Sequence, residues 1–234
     1  MGDLRSSLAW LARTPLHPQW LLGRRSPPKG VDGVSGRILD IGAADCWIKP
    51  SLREGVEYVA LDYPATGRDM YRARPAVFGD GAHLPFADEC FDGVVCLEVL
   101  DHVSDPALVV AEIGRVLRSG GRAWISMPFL YPLHDAPYDF QRYTEYGLRR
   151  DALRAGLDVV RLHKSGHSLR AAGLLVCLAI AGGAYAKRGW LKWVMLSLAL
   201  LDVPAINIAA WVASLIWPDW SHMAMGHELE VRKP

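Results

Sequence analysis

Apolar residues fall into three regimes along this chain. Between about residues 37 and 162 they come as short runs separated by turn-prone residues, and between 169 and 217 they are almost continuous. Before residue 35 they are sparse and interrupted by Pro15 and Pro18. In the first of these regimes, residues 37–41 form a run with β-branched Ile38 and Ile41, bounded by Ser35-Gly36 and followed by Gly42-Ala43-Ala44. This reads as a buried parallel strand with a helix starting soon after it. Residues 57–61 form a second strand ending at Asp62, 76–78 a short third, and 91–97 a fourth, apolar enough to be central. Ser104-Asp105-Pro106 offers a capping side chain and a first-turn proline, so a helix begins there. Val109, Val110, Ile113, Val116 and Leu117 keep helical spacing on one face, and Gly120-Gly121 is expected to stop it. Residues 122–127 are a fifth strand, 144–155 a helix and 157–162 a sixth strand. Such alternation implies an α/β domain with a mostly parallel sheet and helices on both faces.

The second regime departs from this rhythm. Residues 171–186 are sixteen uncharged positions between Arg170 and Lys187-Arg188, and residues 190–217 follow with Lys192, Asp202 and Pro204 as interruptions. Asp202 ahead of Pro204 resembles a helix start, so the second stretch is expected to form two short helices. No single piece then reaches the ~20 apolar residues of a comfortable membrane span. Trp190, Trp193, Trp211, Trp217 and Trp220, with Lys187, Arg188 and Lys192, nevertheless suit a bilayer interface. The segment 169–220 is expected to meet a membrane surface; a soluble cap or a homodimer interface is the competing expectation. In the third regime, Leu4, Leu8, Trp10 and Leu11, then Trp20-Leu21-Leu22, suggest short amphipathic helices, and residues 24–30 a linker.

Composition changes this picture little. With 234 residues the chain can bury a full α/β core, and a net charge of +1 gives no basic surface for nucleic acid. Cys46, Cys90, Cys96 and Cys177 are scattered, with no CxxC and no histidine at metal-ligand spacing, so free thiols and no metal are expected. The first thirty residues lack a signal-peptide pattern, which points to a cytoplasmic protein, peripheral on the inner face of the membrane.

In an open α/β sheet, ligands sit outside the carboxyl ends of the strands. Asp62, 22 residues after Asp40, stands where a dinucleotide fold places its ribose-binding acid. Four groups of residues, with Asp40 and Asp62 among them, line up in order. They are Leu39-Asp40-Ile41-Gly42; Ala60-Leu61-Asp62; Gly79-Asp80-Gly81-Ala82-His83-Leu84-Pro85-Phe86 with Phe91-Asp92; and Glu98-Val99-Leu100-Asp101-His102-Val103 with residues 115–121. Together they resemble the motifs of class I S-adenosylmethionine-dependent methyltransferases, in the broad group often labelled methyltransferase type 11. The similarity spans roughly residues 37–162, and residues 226–233 resemble the family's last strand.

The resemblance implies a Rossmann-like, doubly wound, mostly parallel seven-stranded sheet with an apolar helical insertion before the last strand. The implied organisation is an appendage at 1–35, a methyltransferase domain at 36–168 plus 222–234, and the insertion at 169–221. The implied cofactor is S-adenosylmethionine, bound by Asp40, Gly42, Ala44, Asp62, Asp80, Gly81, Ala82 and Glu98. Asp62 would take the ribose hydroxyls and Asp80 the adenine amino group, with His102 lining the same pocket. Family members carry glycine where this chain has Ala44 and Cys46; a methyl at Ala44 is accommodated if that residue has negative φ.

The loop 128–144 leaves the carboxyl end of a central strand and is dense in polar and aromatic residues. Methyl transfer to a hydroxyl or protonated amine needs a base, and His134 is the best candidate, with Asp139 beside it in the sequence. Tyr131, Arg142 and Tyr143 are candidates for binding a small polar, sugar or lipid-linked acceptor. Three functional readings stay open: a methyltransferase, a non-catalytic binding or scaffold protein of the same fold, and a nicotinamide-dependent oxidoreductase. The last is disfavoured because no G-x-G-x-x-G follows the first strand.

Overall fold

The computed structural model describes residues 10–70 and 73–234. Leu4 and Leu8 lie outside the described residues. Two compact units emerge, one built on a β-sheet and one on two long helices.

The sheet unit comprises Ser26–Phe129, Leu133–Lys164 and Gly226–Pro234. Its strands are β1 (Arg37–Ile41), β2 (Glu57–Asp62), β3 (Val77–Phe78), β4 (Phe91–Leu97), β5 (Leu117–Pro128), β6 (Asp158–Ser165) and β7 (Gly226–Arg232). They form one sheet in the order β3-β2-β1-β4-β5-β7-β6. Neighbours from β3 through β5 pair parallel, and β7 runs antiparallel to β5. The seven-stranded, mostly parallel α/β sheet expected from the sequence is therefore what the chain forms.

The core follows from the two-residue period of a strand. Leu39 and Ile41, Val94 and Cys96, and Ala123, Ile125 and Met127 point to one side, where Val109, Val110, Ile113 and Val116 of α1 (Pro106–Val116) cover them. The alternate residues Ile38, Val95 and Trp124 point to the other side and pack with Val31 and Ile48. Both faces are covered, as a parallel sheet requires. Helix α1 starts as its sequence dictates: the Asp105 side chain accepts the Leu108 N–H, and Pro106 occupies the first turn.

Three local expectations need correction. Between β1 and β2 there is no α-helix, only turns and a 3-10 turn at Lys49–Ser51, because Pro50 cannot continue a helical ladder. Helix α1 stops at Val116, ahead of Gly120-Gly121, because Leu117 goes extended to pair with Phe91. Strand β6 runs to Ser165, beyond the expected residue 162. Helix α2 (Glu145–Arg154) is capped by Thr144, whose hydroxyl accepts the Gly147 N–H.

The helical unit comprises residues 10–25, Leu130–Pro132 and Ser165–Met225. Its main elements are α3 (Ser168–Ala186) and α4 (Trp190–Ile216), joined by residues 187–189. Arg170 Nε donates to Ser214 Oγ and the Cys177 thiol approaches Asn207 Oδ1 at 3.4 Å, so the two helices run antiparallel. Small residues permit the close approach: a Cβ on Gly173 would stand 2.5 Å from that of Ala210. Fully buried Asn207 donates to the carbonyls of Pro15 and His17 at 2.6 and 3.0 Å, tying down the amino-terminal segment. Trp20–Leu22 is a single 3-10 turn rather than an amphipathic helix, hemmed in by Pro18 and by Gly23 at φ +78, and Leu11–Arg13 is a 3-10 turn at the edge of the described residues.

The expected break at Pro204 does not occur, and α4 is one helix of 27 residues with Pro204 inside it. An interior proline costs ~3 kcal/mol. Packing of Ala199, Val203 and Ile206 on the α3 side, around Cys177 and Ala184, offsets that cost on both sides of the proline. With α3 at 19 residues and α4 at 27, both helices are long and apolar enough to cross a bilayer by length and composition.

Candidate active site

The first cluster of predicted residues gathers at the carboxyl ends of β1, β2 and β4. Gly42 has φ +70, and a Cβ there would lie 2.3 Å from Val99 Cγ2, so only glycine fits. Its N–H and that of Ala43 both donate to the Leu61 carbonyl. Ala44 and Cys46 also take positive φ, +44 and +55. The negative φ expected to accommodate the Ala44 methyl is therefore absent. The turn instead holds two L-residues in the left-handed region, each costing ~1–2 kcal/mol. Two bonds hold it there: Ala44 N–H donates to Asp62 Oδ2 at 2.9 Å and Cys46 N–H to the Ala43 carbonyl at 2.7 Å.

Asp62 is buried, and its other oxygen accepts the Tyr63 N–H at 2.9 Å. Burial raises its pKa, and the two backbone donors pull it back. A Cβ on Gly67 would approach Asp62 Cγ at 2.7 Å, so the π-helical segment Pro64–Met70 passes close over that carboxylate. Asp40 is buried beneath the turn and accepts the Tyr58 hydroxyl. Burial pushes its pKa up to about 7, the Tyr58 hydrogen bond opposes this, and the charges of Asp62 and Asp45 add to the rise. Asp80 Oδ1 accepts the Ala82 N–H at 2.9 Å, and Gly81 is buried against Ile41. Glu98 completes the rim with φ +56; its N–H donates to the Ser126 carbonyl, and its carboxylate accepts the Ser126 hydroxyl at 2.6 Å.

A second cluster joins the turn after β4 to the loop after β5. Asp101 is fully buried, and neither of its carboxylate oxygens has a hydrogen-bond donor from another residue. His102 Nε2 and His134 Nε2 face its Oδ2 at 3.4 and 3.5 Å. The far nitrogens are both held: His102 Nδ1 meets the Tyr138 carbonyl at 2.8 Å and His134 Nδ1 meets Asp139 Oδ2 at 3.1 Å. Asp139 also accepts the His134 backbone N–H and a two-pronged pair from Arg142. The Arg142 pair is the main reason that its carboxyl lies well below the usual range. Burial pushes the Asp101 carboxyl up.

Residues 39–125 match a protein-family model described as "Methyltransferase domain". The matched span begins on β1 and ends on β5, enclosing the whole first cluster. Over that span the sheet unit is similar to S-adenosylmethionine-dependent methyltransferases of class I. A demethylmenaquinone methyltransferase of Streptomyces griseus is 31% identical over 55% of this chain and 57% of its own length. One from Renibacterium salmoninarum is 34% identical over 54% of each chain. The chain thus spans somewhat over half the length of the curated relatives it matches. Among solved structures, a putative sarcosine dimethylglycine methyltransferase from Galdieria sulphuraria superposes with a TM-score of 0.54. It shares 16% identity and covers 87% of this chain and 80% of its own, which speaks for the fold alone.

The sheet unit brings Asp40, Gly42, Ala44, Asp62 and Glu98 to one end of the sheet and sets His134, Asp139 and Arg142 in a single bonded group. Tyr143 instead packs against the sheet core with its hydroxyl on Asp151. Tyr131 belongs to the helical unit, where Gln19 donates to its hydroxyl. Sequence reasoning gave no role to Tyr58, the partner of Asp40, or to Asp101. An acid directly before His102 in the turn after a central strand was the available signal for the latter. The lack of metal-ligand spacing along the sequence also does not carry over to space, because Asp101, His102 and His134 converge from separate segments.

Proposed function

We propose that this chain transfers a methyl group from S-adenosylmethionine to a lipid-borne acceptor held at a membrane surface. The observation that carries the transfer reading is the turn at Gly42. A bare Cα sits there under Val99, between two buried carboxylates at the ends of adjacent parallel strands. These residues fit the cofactor. Each oxygen of Asp62 receives one backbone N–H and keeps a lone pair for a ribose diol. Asp40 in its ionised form complements a cationic ligand. Asp80, Gly81 and Ala82 supply a tight turn for the adenine edge.

The cofactor brings a methyl group already activated on a sulfonium, which leaves the chain to align the acceptor and exclude water. His134 is assigned as the base. Asp139, kept ionised by Arg142, holds Nδ1–H and leaves the Nε2 lone pair to take the acceptor proton. The curated relatives are named for demethylmenaquinone, a lipid quinone, and an acceptor of that class suits the helical unit.

Along α4 the exposed side chains include Leu198, Leu200, Leu201, Ile208, Leu215 and Ile216, far more apolar surface than a solvated helix carries. Asp202 is exposed near the middle of the same helix, and a carboxylate at the bilayer centre costs ~2.5–3.5 kcal/mol. Lys187 and Arg188 stand at the tip of the hairpin. These charges favour helices lying in the interface, with the tryptophans at headgroup depth, over a hairpin pushed across it.

The test is incubation of the purified chain with methyl-labelled S-adenosylmethionine and a membrane lipid extract containing demethylated quinone. Label in a lipid product supports the reading. Tight cofactor binding with no transfer to lipid, sugar or small polar acceptors would favour a binding protein instead.

A further inference from the structure

The second cluster has a feature that its hydrogen bonds do not account for. Asp101 is at 0% exposure with no hydrogen-bond donor from another residue on either oxygen, and burying a carboxylate in that state is costly. The imidazoles of His102 and His134 face its Oδ2, and the Arg142 guanidinium adds its positive charge to the surroundings. One ligand atom each from Asp101, His102 and His134 lies within 4.8 Å of the others. The 3.4 and 3.5 Å separations from Asp101 Oδ2 to the two Nε2 atoms match the edges of a coordination polyhedron. With metal–ligand bonds of about 2.0–2.2 Å, ligand atoms stand roughly 3–3.5 Å apart.

The outer partners fit as well. Metal-bound imidazoles usually donate their other N–H to a carbonyl or carboxylate. Tyr138 O fills that role for His102 and Asp139 for His134, with Arg142 bracing Asp139. The two ligand-bearing segments are also pinned together independently of the cluster. Phe140 N–H donates to the Asp101 carbonyl at 2.8 Å, and Gln141 Nε2 reaches the carbonyls of Leu100 and Val103. The site is therefore pre-set by contacts outside the cluster.

We infer that Asp101, His102 and His134 form a binding site for a divalent first-row transition cation, ligated by two imidazole Nε2 atoms and one carboxylate oxygen. Two nitrogens and one oxygen suit zinc, cobalt, iron or nickel; magnesium and calcium favour all-oxygen sets. Three protein ligands leave at least one position open. A second carboxylate, Asp135, ends 4.0 Å from His102 Nε2 at the edge of the site. The cation and a proton compete for the same His134 nitrogen, so metal loading would decide whether that imidazole is a ligand or a base. That consequence rests on the proposed methyl transfer; binding itself does not.

The experiment uses the full chain in detergent, stripped with chelator and titrated with Co²⁺ while the visible d–d absorption is read. Isothermal titration with S-adenosylmethionine runs in parallel as the control for a folded domain. The expected result is one saturable equivalent of Co²⁺, displaced by Zn²⁺ and not by Mg²⁺. Asp101→Asn and His134→Ala should each weaken it at least ~100-fold, and Asp139→Asn, which disturbs only the outer partner, by ~10–100-fold. Cofactor affinity should stay within a few-fold throughout. No d–d band in the wild-type chain, or a band that these variants leave unchanged, overturns the site, while intact cofactor binding in the same samples leaves the methyltransferase reading standing. A site that binds Co²⁺ in a chain showing no methyl transfer gives the opposite split.

Discussion

In the sheet unit, Ile38, Leu39, Phe91 and Val94 are fully buried, with α1 on one face and the Val31–Ile48 cluster on the other. In the helical unit, Leu201, Leu215 and Ile216 of α4 are 70%, 62% and 79% exposed. The same residue types thus end in opposite environments within one chain. The difference lies in patterning: α1 confines its apolar residues to one stripe, whereas α4 carries them nearly all round. An all-round apolar helix is stable only if something besides its neighbours covers it. On the function proposed above that cover is lipid, and the sheet unit carries the chemistry.

The sharpest way to break this division is to change the exposed apolar residues of α4 and ask which property follows. Replacing Leu200, Leu201, Leu215 and Ile216 together by Glu should move the chain from the membrane fraction to the soluble fraction, with S-adenosylmethionine affinity unchanged. Cell fractionation and vesicle flotation read the first effect, and calorimetry the second. A wild-type chain that is soluble without detergent as a defined dimer would make this face a subunit interface.

The reciprocal change lies in the sheet unit. His134→Ala should lower turnover by ~10²–10⁴-fold, the scale of lost general base catalysis, while cofactor affinity and membrane partition stay put. Parallel loss of turnover and cofactor affinity would mean that His134 only braces its loop. Asp139→Asn should reproduce much of the turnover loss, because Asp139 fixes the imidazole tautomer.

How much of this was legible in the sequence differs between the same two regions. β1, β4 and the cap of α1 could be read because their signals are local: a bounded apolar run, or Asp105-Pro106 ahead of a helical stripe. The continuity of α4 through Pro204 could not, since the proline signal is local and the packing that overrides it comes from Cys177 and Ala184 on another helix. The positive φ of Ala44 follows from the turn between β1 and Asp62, not from the residue itself. The grouping of Asp101 and His102 with His134 depends on two loops meeting at adjacent strand ends, which spacing along the chain does not encode.

A smaller effect tests the cofactor face itself. Asp62→Ala removes the carboxylate that accepts the Ala44 and Tyr63 N–H groups and is assigned to the ribose. Cofactor binding should weaken by ~1–3 kcal/mol, the range of hydrogen bonds to charged groups and of stranded buried donors. Calorimetry checks it, with circular dichroism confirming the fold. Unchanged affinity would remove Asp62 from the site while leaving Gly42 and Asp40 in it.

A pH dependence separates stability from binding within the sheet unit. Burial holds the Asp40 carboxyl at about 7 against an ordinary value of 3.8. Between those values the folded chain binds a proton on Asp40 that the unfolded chain has released. Its contribution to stability is therefore full below about pH 4 and is lost as pH rises toward 7, at up to ~1.4 kcal/mol per pH unit. A cationic cofactor selects the ionised form, so its affinity should move the other way. It should be level above about pH 8 and fall roughly tenfold per unit below pH 7. Asp40→Asn should abolish this part of both slopes, leaving affinity at the wild type's low-pH value. Measuring melting temperature and S-adenosylmethionine affinity on wild type and variant from pH 5 to 8.5 gives both curves. Because Asp62 and Asp101 are also shifted upward by burial, the difference between the two chains is the quantity that isolates Asp40. If affinity falls with pH equally in both chains, Asp40 is a buried structural acid and the cofactor's charge is met elsewhere.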